Sequence, residues 1–277
     1  MKAASSSAAF AAPRILGIVN ITLDSFSDGG LYLAPERAIA HAQTLIAEGA
    51  DIVDLGPAAS NPDAAAVTPA EEIRRLEPVL AALAASGVAV SVDSCRSETQ
   101  RFALTRGVAY LNDIQGFAEP AMYPLLAQTH CKLIVMHAIR RGLKADRSDS
   151  DAHTIVARIG EFFADRVAAL TAAGITRDRI ILDPGMGFFL GSNAESSYTV
   201  LRKLGQLKRD FGLPLLVSVS RKSFLRTLTG RSAADSGAAT LAAEIYAALH
   251  GVDYIRTHDV RALKDALRVL AAIHAYR

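Results

Sequence analysis

A single (β/α)8 barrel, a TIM barrel of the α/β class, is the fold this sequence predicts, and three observations predict it. Eight short apolar runs alternate with helix-patterned segments from end to end. Glycines stand at five helix-to-strand junctions, Gly49, Gly87, Gly107, Gly174 and Gly212, where a residue in the left-handed conformation ends a helix. No shift in composition divides the 277 residues, and a chain of that length fills one barrel without a second domain. An open doubly wound sheet is the competing arrangement.

The opening MKAASSSAAFAA is small and weakly apolar and lacks the sustained apolar run of a signal peptide. Residues 1–13 are therefore expected to be a disordered tail ahead of one domain, 14–277. Residues 15–20 form the first expected strand and 35–48 the first helix; strand 51–55 then leads to helix 69–86. That helix has the clearest start: Thr68 caps it, Pro69 takes its first position and Glu71 lies in its first turn. Strand 88–93 precedes helix 97–106, with Asp93 or Ser94 as its cap, and strand 109–113 precedes helix 120–128. Strand 133–136 and helix 154–173 follow, then strand 179–183 and helix 199–211. The last two units are strand 215–218 with helix 233–250, and strand 253–256 with helix 260–275. Each strand is apolar with few alternating polar residues, the pattern of a parallel strand covered on both faces.

Composition excludes several classes. A formal charge of +2 makes no electrostatic case for nucleic acid or a membrane surface. No apolar run is long enough to span a bilayer. Cys95 and Cys131 make neither a metal spacing nor a disulfide framework, which points to a reducing, cytoplasmic setting.

In a barrel, chemistry sits on the loops after the strands. The first such loop reads Asn20 followed by ITLDSFSDGG, and the second follows Asp54. Asp93, the pair Asn112–Asp113 and Asp183 end the third, fourth and sixth strands. The seventh delivers Ser220, Arg221 and Lys222, with Ser223 placed to cap a following helix; the eighth ends in Arg256, with His258 two residues on. A single carboxylate at a strand end is ordinarily a cap, and a lone Arg-Lys pair ordinarily faces water. Here carboxylates and an amide share one rim with cations. Acceptors suit a heterocycle bearing N–H donors, and cations suit an anion. The expected substrate is therefore a heterocycle carrying phosphate or pyrophosphate.

These motifs resemble one family. GIVNITLDSFSDGG, SVDS, LNDI, MH, LDPGMGF, SRKS and RTHDV stand in the order and spacing of the dihydropteroate synthases. The resemblance covers nearly all of the chain from Ile15 onward and implies a barrel, usually a homodimer. It implies the condensation of 7,8-dihydropterin pyrophosphate with p-aminobenzoate to 7,8-dihydropteroate and pyrophosphate. By resemblance, Asp93, Asn112, Met136, Asp183 and Lys222 hold the pterin, Arg256 and His258 the pyrophosphate, and Asn20 a Mg²⁺ ion. Ser220 and Arg221 lie by the p-aminobenzoate, while Phe26 and Asp28 close over the site. Asp28, Lys222 and Arg221 are the implied catalytic residues.

The departures from the family pattern are informative. Leu23 stands where family members carry proline, and Ala58 and Asn61 stand where a glutamate and an arginine are usual. The stretch PGMGFFLGS carries about two extra residues around Phe188, Phe189 and Leu190. These features are similar to the mobile sulfonamide-resistance synthases. An aromatic ring at the carboxylate end of the p-aminobenzoate site would exclude a bulkier sulfonamide, and Phe188 or Phe189 is expected to supply it. His137 is expected to make a structural hydrogen bond, Cys95 has no paired base, and residues 140–151 read as a mobile charged loop. Two other readings remain: a pterin-dependent barrel methyltransferase, which needs no pyrophosphate site, and a catalytically silent pterin-binding protein.

Overall fold

The computed structural model describes residues 10–21, 35–139, 142, 144–145 and 150–275. Leu23, Phe26 and Asp28 lie outside the described residues.

The strands are β1 (Arg14–Asn20), β2 (Ile52–Gly56), β3 (Ala89–Asp93), β4 (Tyr110–Asp113), β5 (Lys132–Met136), β6 (Ile180–Asp183), β7 (Leu216–Val217) and β8 (Tyr254–Thr257). The helices are α1 (Pro35–Ala47), α2 (Pro69–Leu83), α3 (Ser97–Thr105), α4 (Tyr123–Ala127), α5 (Ile155–Ala172), α6 (Ala194–Phe211), α7 (Ser223–Thr229), α8 (Gly237–Leu249) and α9 (Val260–Ala275). All strand pairs are parallel, in the order β6-β5-β4-β3-β2-β1-β8-β7. The ring closes between β6 and β7 through a single bridge, Leu182 with Leu215, and Leu182 N–H donates to Pro214 O at 2.9 Å. The expected closed barrel is thus the observed one.

Alternate residues along each strand face opposite ways, and this decides what lines the interior. Val19, Val53, Leu55, Val92, Leu133 and Leu182 point outward and join one large core with the inner faces of the helices. On α5 that face is Ile155, Ile159, Phe163, Val167 and Leu170, the spacing of a helical stripe. Leu16, Ile52, Tyr110, Ile134, Ile181, Leu216 and Tyr254 point inward and plug the lower barrel as a separate apolar cluster. Through the lower barrel the strands are therefore apolar on both faces, which is why they read as apolar runs up to their polar C-terminal ends.

The five junction glycines all have positive φ, from 59° to 98°. At Thr68 the side chain accepts from Glu71 N–H at 3.2 Å, the expected cap. Two other expected caps are corrected. Ser223 is the first residue of α7, and Lys222 occupies the cap position in an extended conformation. At α3 the cap position belongs to Arg96; Ser94 Oγ instead donates to the buried Glu72 at 2.6 Å. A buried carboxylate needs donors more than the helix end needs an acceptor. α6 begins five residues earlier than expected because Asn193 caps it, accepting from Glu195 N–H at 3.0 Å. The expected 120–128 helix opens with a tighter turn, Pro120–Met122. Phe10, inside the stretch expected to be tail, stacks on His274 at 5.4 Å between ring centres.

Candidate active site

The strand periodicity that buries Leu16 and Ile52 inward carries on to the C-terminal ends of the staves. It brings Asn20, Asp54, Asp93, Asn112, Met136, Asp183 and Arg256 to the same interior face, just above the apolar plug. The acidic and amide groups of the early strands and the cation of the last one therefore share one mouth. A cleft of about 220 Å³ opens there, bordered by Asn20, Asp93, Ser220, Lys222, Arg256 and His258, with Arg221 and Asn61 at its edge.

Arg256 is the centre of the charge arrangement. Its Nε donates to Asp54 at 2.6 Å and its Nη2 to Asp93 at 2.8 Å. Burial pushes the Asp93 carboxyl up to about 7, against the pull of Arg256, and the Asp54 charge adds to the rise. Burial likewise raises Asp183 to about 6, with Gly185 N–H, donating at 2.8 Å, opposing it. Lys222 is lowered to about 8 by burial and by the Arg256 charge. Its ammonium sits 4.8 Å from the centre of the Phe189 ring, a cation–π distance.

His258 is held well below the usual imidazole range by burial and by the charges of Arg221, Arg256 and Lys222. It is therefore neutral. Its Nδ1 lies 2.9 Å from Ser220 Oγ, which accepts from His258 N–H at 3.3 Å. The hydroxyl has a proton to give and a second lone pair to accept with, so the Ser220 contact fits either ring tautomer of His258.

Arg221 has a left-handed backbone, φ 59°, unusual for a residue with a side chain. Its N–H donates to Thr240 Oγ1 on α8 at 3.1 Å, and Thr240 is buried. Thr240 thus anchors the strained turn that sends Arg221 toward the mouth. Thr240→Val is expected to raise KM for p-aminobenzoate about five- to tenfold with a smaller change in kcat, since one half-buried donor loses its partner. Thr240→Ser is expected to restore it. Equal KM values in all three proteins would show that Thr240 does not set this geometry.

The loop after β6 is built on close backbone approach. Gly185 has φ 71°, and a Cβ there would stand 2.3 Å from His137 O. His137 N–H donates to Asp183 O at 2.8 Å, and its Nδ1 lies 3.2 Å from Pro184 O. Burial lowers the imidazole to about 4, so His137 stays neutral and serves the loop. Phe188 and Phe189 lie in the short turn Gly187–Leu190. Phe189 is buried against Ile114 and Met136, whereas Phe188 is only partly buried.

Asp113 points outward, where its carboxylate accepts from Gln115 N–H at 2.7 Å and Gln100 Nε2 at 2.9 Å. It is a structural group. Burial raises the Cys95 thiol to about 12, which removes thiolate chemistry. Asn61 accepts from Asp63 N–H at 3.1 Å and shapes the second loop. Of the expected charged loop at 140–151, residues 140–141, 143 and 146–149 lie outside the described residues. Lys144 donates to Ala64 O, and Ala145 N–H to Ser60 O at 2.8 Å, so this stretch contacts the second loop.

Asp54 is the residue whose part was not read from sequence. It lies two positions after Ile52 on the interior face, and an acid buried in an apolar run requires a cation; that was the available signal.

Among the described residues no group of three or more His, Cys, Asp or Glu side chains is arranged to hold a metal. Asn20 offers an amide oxygen at the mouth beside Gly56, which has no side chain to cover it. One amide with phosphate oxygens and water is a donor set that suits Mg²⁺.

A barrel whose mouth joins acceptors for N–H groups to cations for an anion defines an enzyme acting on a polar heterocycle with an anionic tail. Residues 16–258 match the family model described as pterin binding enzyme. The chain is 60% identical over 259 residues to a dihydropteroate synthase type-2 of Escherichia coli, covering 94% of this chain and 95% of that one. It is 39% identical over 266 residues to a dihydropteroate synthase of Neisseria meningitidis serogroup B, covering 94% and 93%. A Xanthomonas albilineans dihydropteroate synthase solved with 4-aminobenzoic acid superposes with a TM-score of 0.87 at 36% identity, covering 96% and 94% of the two chains. This chain belongs to the pterin-binding enzymes, and within them to the dihydropteroate synthases.

Proposed function

We propose that the chain condenses 7,8-dihydropterin pyrophosphate with p-aminobenzoate, giving 7,8-dihydropteroate and pyrophosphate, and that it does so in the presence of sulfonamides. The observation that carries this reading is the shared mouth: Asp93, Asn112 and Asp183 open on the same side as Lys222 and Arg256. Asp183 and Asn112 accept from the amino-pyrimidinone edge of the pterin, Met136 lines its ring, and Lys222 donates to the ring carbonyl. Arg256 and His258 hold the pyrophosphate. Ser220 and Arg221 orient p-aminobenzoate with its amine toward the methylene carbon. The roles that the family resemblance gives Phe26 and Asp28 belong to this reading, and both lie outside the described residues. Asn20 would hold a Mg²⁺ ion, which would supply charge neutralisation for the leaving pyrophosphate.

The aniline nitrogen is nucleophilic without deprotonation, and the pterin stabilises positive charge on its methylene. The residues therefore act through position and electrostatics rather than by forming a covalent intermediate. The paired cations at the tail end distinguish this reading from a pterin methyltransferase.

Phe188 is the ring we assign to drug exclusion. Phe189 is committed beneath Lys222, while Phe188 retains surface on the turn. The 60% identity to a type-2 enzyme, against 39% to the Neisseria synthase, supports membership of the drug-insensitive subgroup. Turnover measured by pyrophosphate release across a sulfonamide titration tests both parts. Equimolar pteroate and pyrophosphate are expected, made only when both substrates are present, with little inhibition. Phe188→Ala, or removal of the two extra residues, is expected to raise drug sensitivity about tenfold or more while turnover persists; tenfold is about 1.4 kcal/mol. Unchanged sensitivity would clear Phe188 of this role, and pyrophosphate release without p-aminobenzoate would contradict the synthase reaction.

The functional unit is a homodimer in this reading. Leu228 on α7, Leu249 on α8 and Val269 and Ile273 on α9 are 51–70% exposed, an apolar set that a second copy would cover. No helix among the described residues is long and apolar enough to cross a membrane, and a cytoplasmic setting suits the two unpaired cysteines.

A further inference from the structure

Arg256 is shared between two carboxylates that differ in what they can reach. Asp54 is 0% exposed and borders neither cavity at the mouth. Asp93 ends its strand with a side chain 17% exposed, and it borders both the 220 Å³ cleft and a smaller one of about 50 Å³. Its register partner is Asn112, whose Oδ1 is buried without a hydrogen-bond partner among the described residues. Asp93 therefore presents its acceptors to anything in the cleft bearing N–H groups, with the buried Asn112 Oδ1 next to it in register.

Resting on the functional reading above, we propose that Asp54 is the fixed positioning partner of Arg256 and Asp93 the exchangeable one, so that an N–H-bearing pterin ring settling on Asp93 releases Arg256 Nη2 to the pyrophosphate. While both carboxylates are bonded, Arg256 Nε and Nη2 are each committed to an acid, and an incoming anion meets neither donor free. When the pterin donors take over the Asp93 oxygens, that carboxylate keeps its hydrogen bonds and Arg256 gains a vacant donor still aimed by Asp54. The head and tail of one substrate are then thermodynamically coupled, and the coupling must be reciprocal.

The test is calorimetric titration of inorganic pyrophosphate at fixed Mg²⁺, with and without saturating 6-hydroxymethylpterin, which has no phosphate. The wild-type protein is expected to bind pyrophosphate about tenfold or more tightly once the pterin is present. Asp93→Asn, whose amide is a weaker partner for Arg256, is expected to bind pyrophosphate alone more tightly than wild type does and to show little further gain from pterin. Pterin and pyrophosphate each binding the wild type, with affinities independent of one another, would overturn the exchange and leave the functional reading standing. No pterin binding at all would overturn both. A pterin response in Asp93→Asn as large as in wild type would also overturn the exchange, and should that variant fail to fold, the wild-type pair of titrations still decides.

Discussion

Arg256→Met is expected to destabilise the folded chain by about 3–5 kcal/mol, the usual effect of removing one partner from a buried ion pair. It is also expected to lower kcat/KM about a hundred- to a thousandfold, the range for losing a preorganised donor to developing negative charge. The first effect comes from Asp54. It is wholly buried, its Oδ2 accepts from Arg256 at 2.6 Å, and its Oδ1 has no hydrogen-bond partner among the described residues. Without the guanidinium that carboxylate is an uncompensated charge inside the barrel. The double variant Asp54→Asn, Arg256→Met is therefore expected to be more stable than Arg256→Met alone, yet just as inactive. Urea unfolding with steady-state kinetics measures both. A double variant no more stable than the single one would show that Asp54 draws its stability from elsewhere.

The second large effect is expected at Asp183. Asp183→Asn keeps the shape but presents N–H where the pterin also presents N–H, and kcat/KM is expected to fall about a thousandfold or more. A site built to hydrogen-bond a substrate loses that much when donors and acceptors cease to match. The pH profile carries the same information. Ionised Asp183 and Asp93 are needed, with values near 6 and 7, and so is charged Lys222, with a value near 8. Wild-type kcat/KM is expected to fall on the acid side of about 7 and the alkaline side of about 8, and Lys222→Met is expected to lose the alkaline fall.

Stability follows with a definite sign. Asp183 binds its proton more tightly when folded, about 6 against 3.8, so its contribution is full below 3.8 and lost as pH rises through 6. The stability difference between wild type and Asp183→Asn is thus expected to shift in favour of wild type on going from pH 7.5 to 5. A difference flat across that range would mean that Asp183 is not desolvated as described.

Much of this was legible in the residues. Continuous apolar strands, five junction glycines and Thr68-Pro69 marked the barrel because each is a local requirement of the backbone. Asp93, Asn112, Asp183 and Arg256 stood out because they end strands, and their roles came from the family resemblance; the structure puts all four on the interior face at one mouth. What was not legible depended on contacts between distant parts of the chain. Asp54 and Arg256 are 202 residues apart, so nothing local shows that they pair. The same holds for Thr240, whose hydroxyl meets the Arg221 backbone only once α8 packs on the barrel. Ser94 and Ser223 were misread as caps because a local rule was applied where a buried glutamate and an extended lysine took precedence.

One mouth is assigned both the pterin, on its acidic side, and the pyrophosphate, on its cationic side, and a crystal structure with 7,8-dihydropterin pyrophosphate bound decides whether it holds them so. The expected result is the amino-pyrimidinone edge on Asp183 and Asn112, with the pyrophosphate within hydrogen-bond distance of Arg256 and His258. A ligand at the opposite end of the barrel, or a pyrophosphate lying away from Arg256, would contradict it.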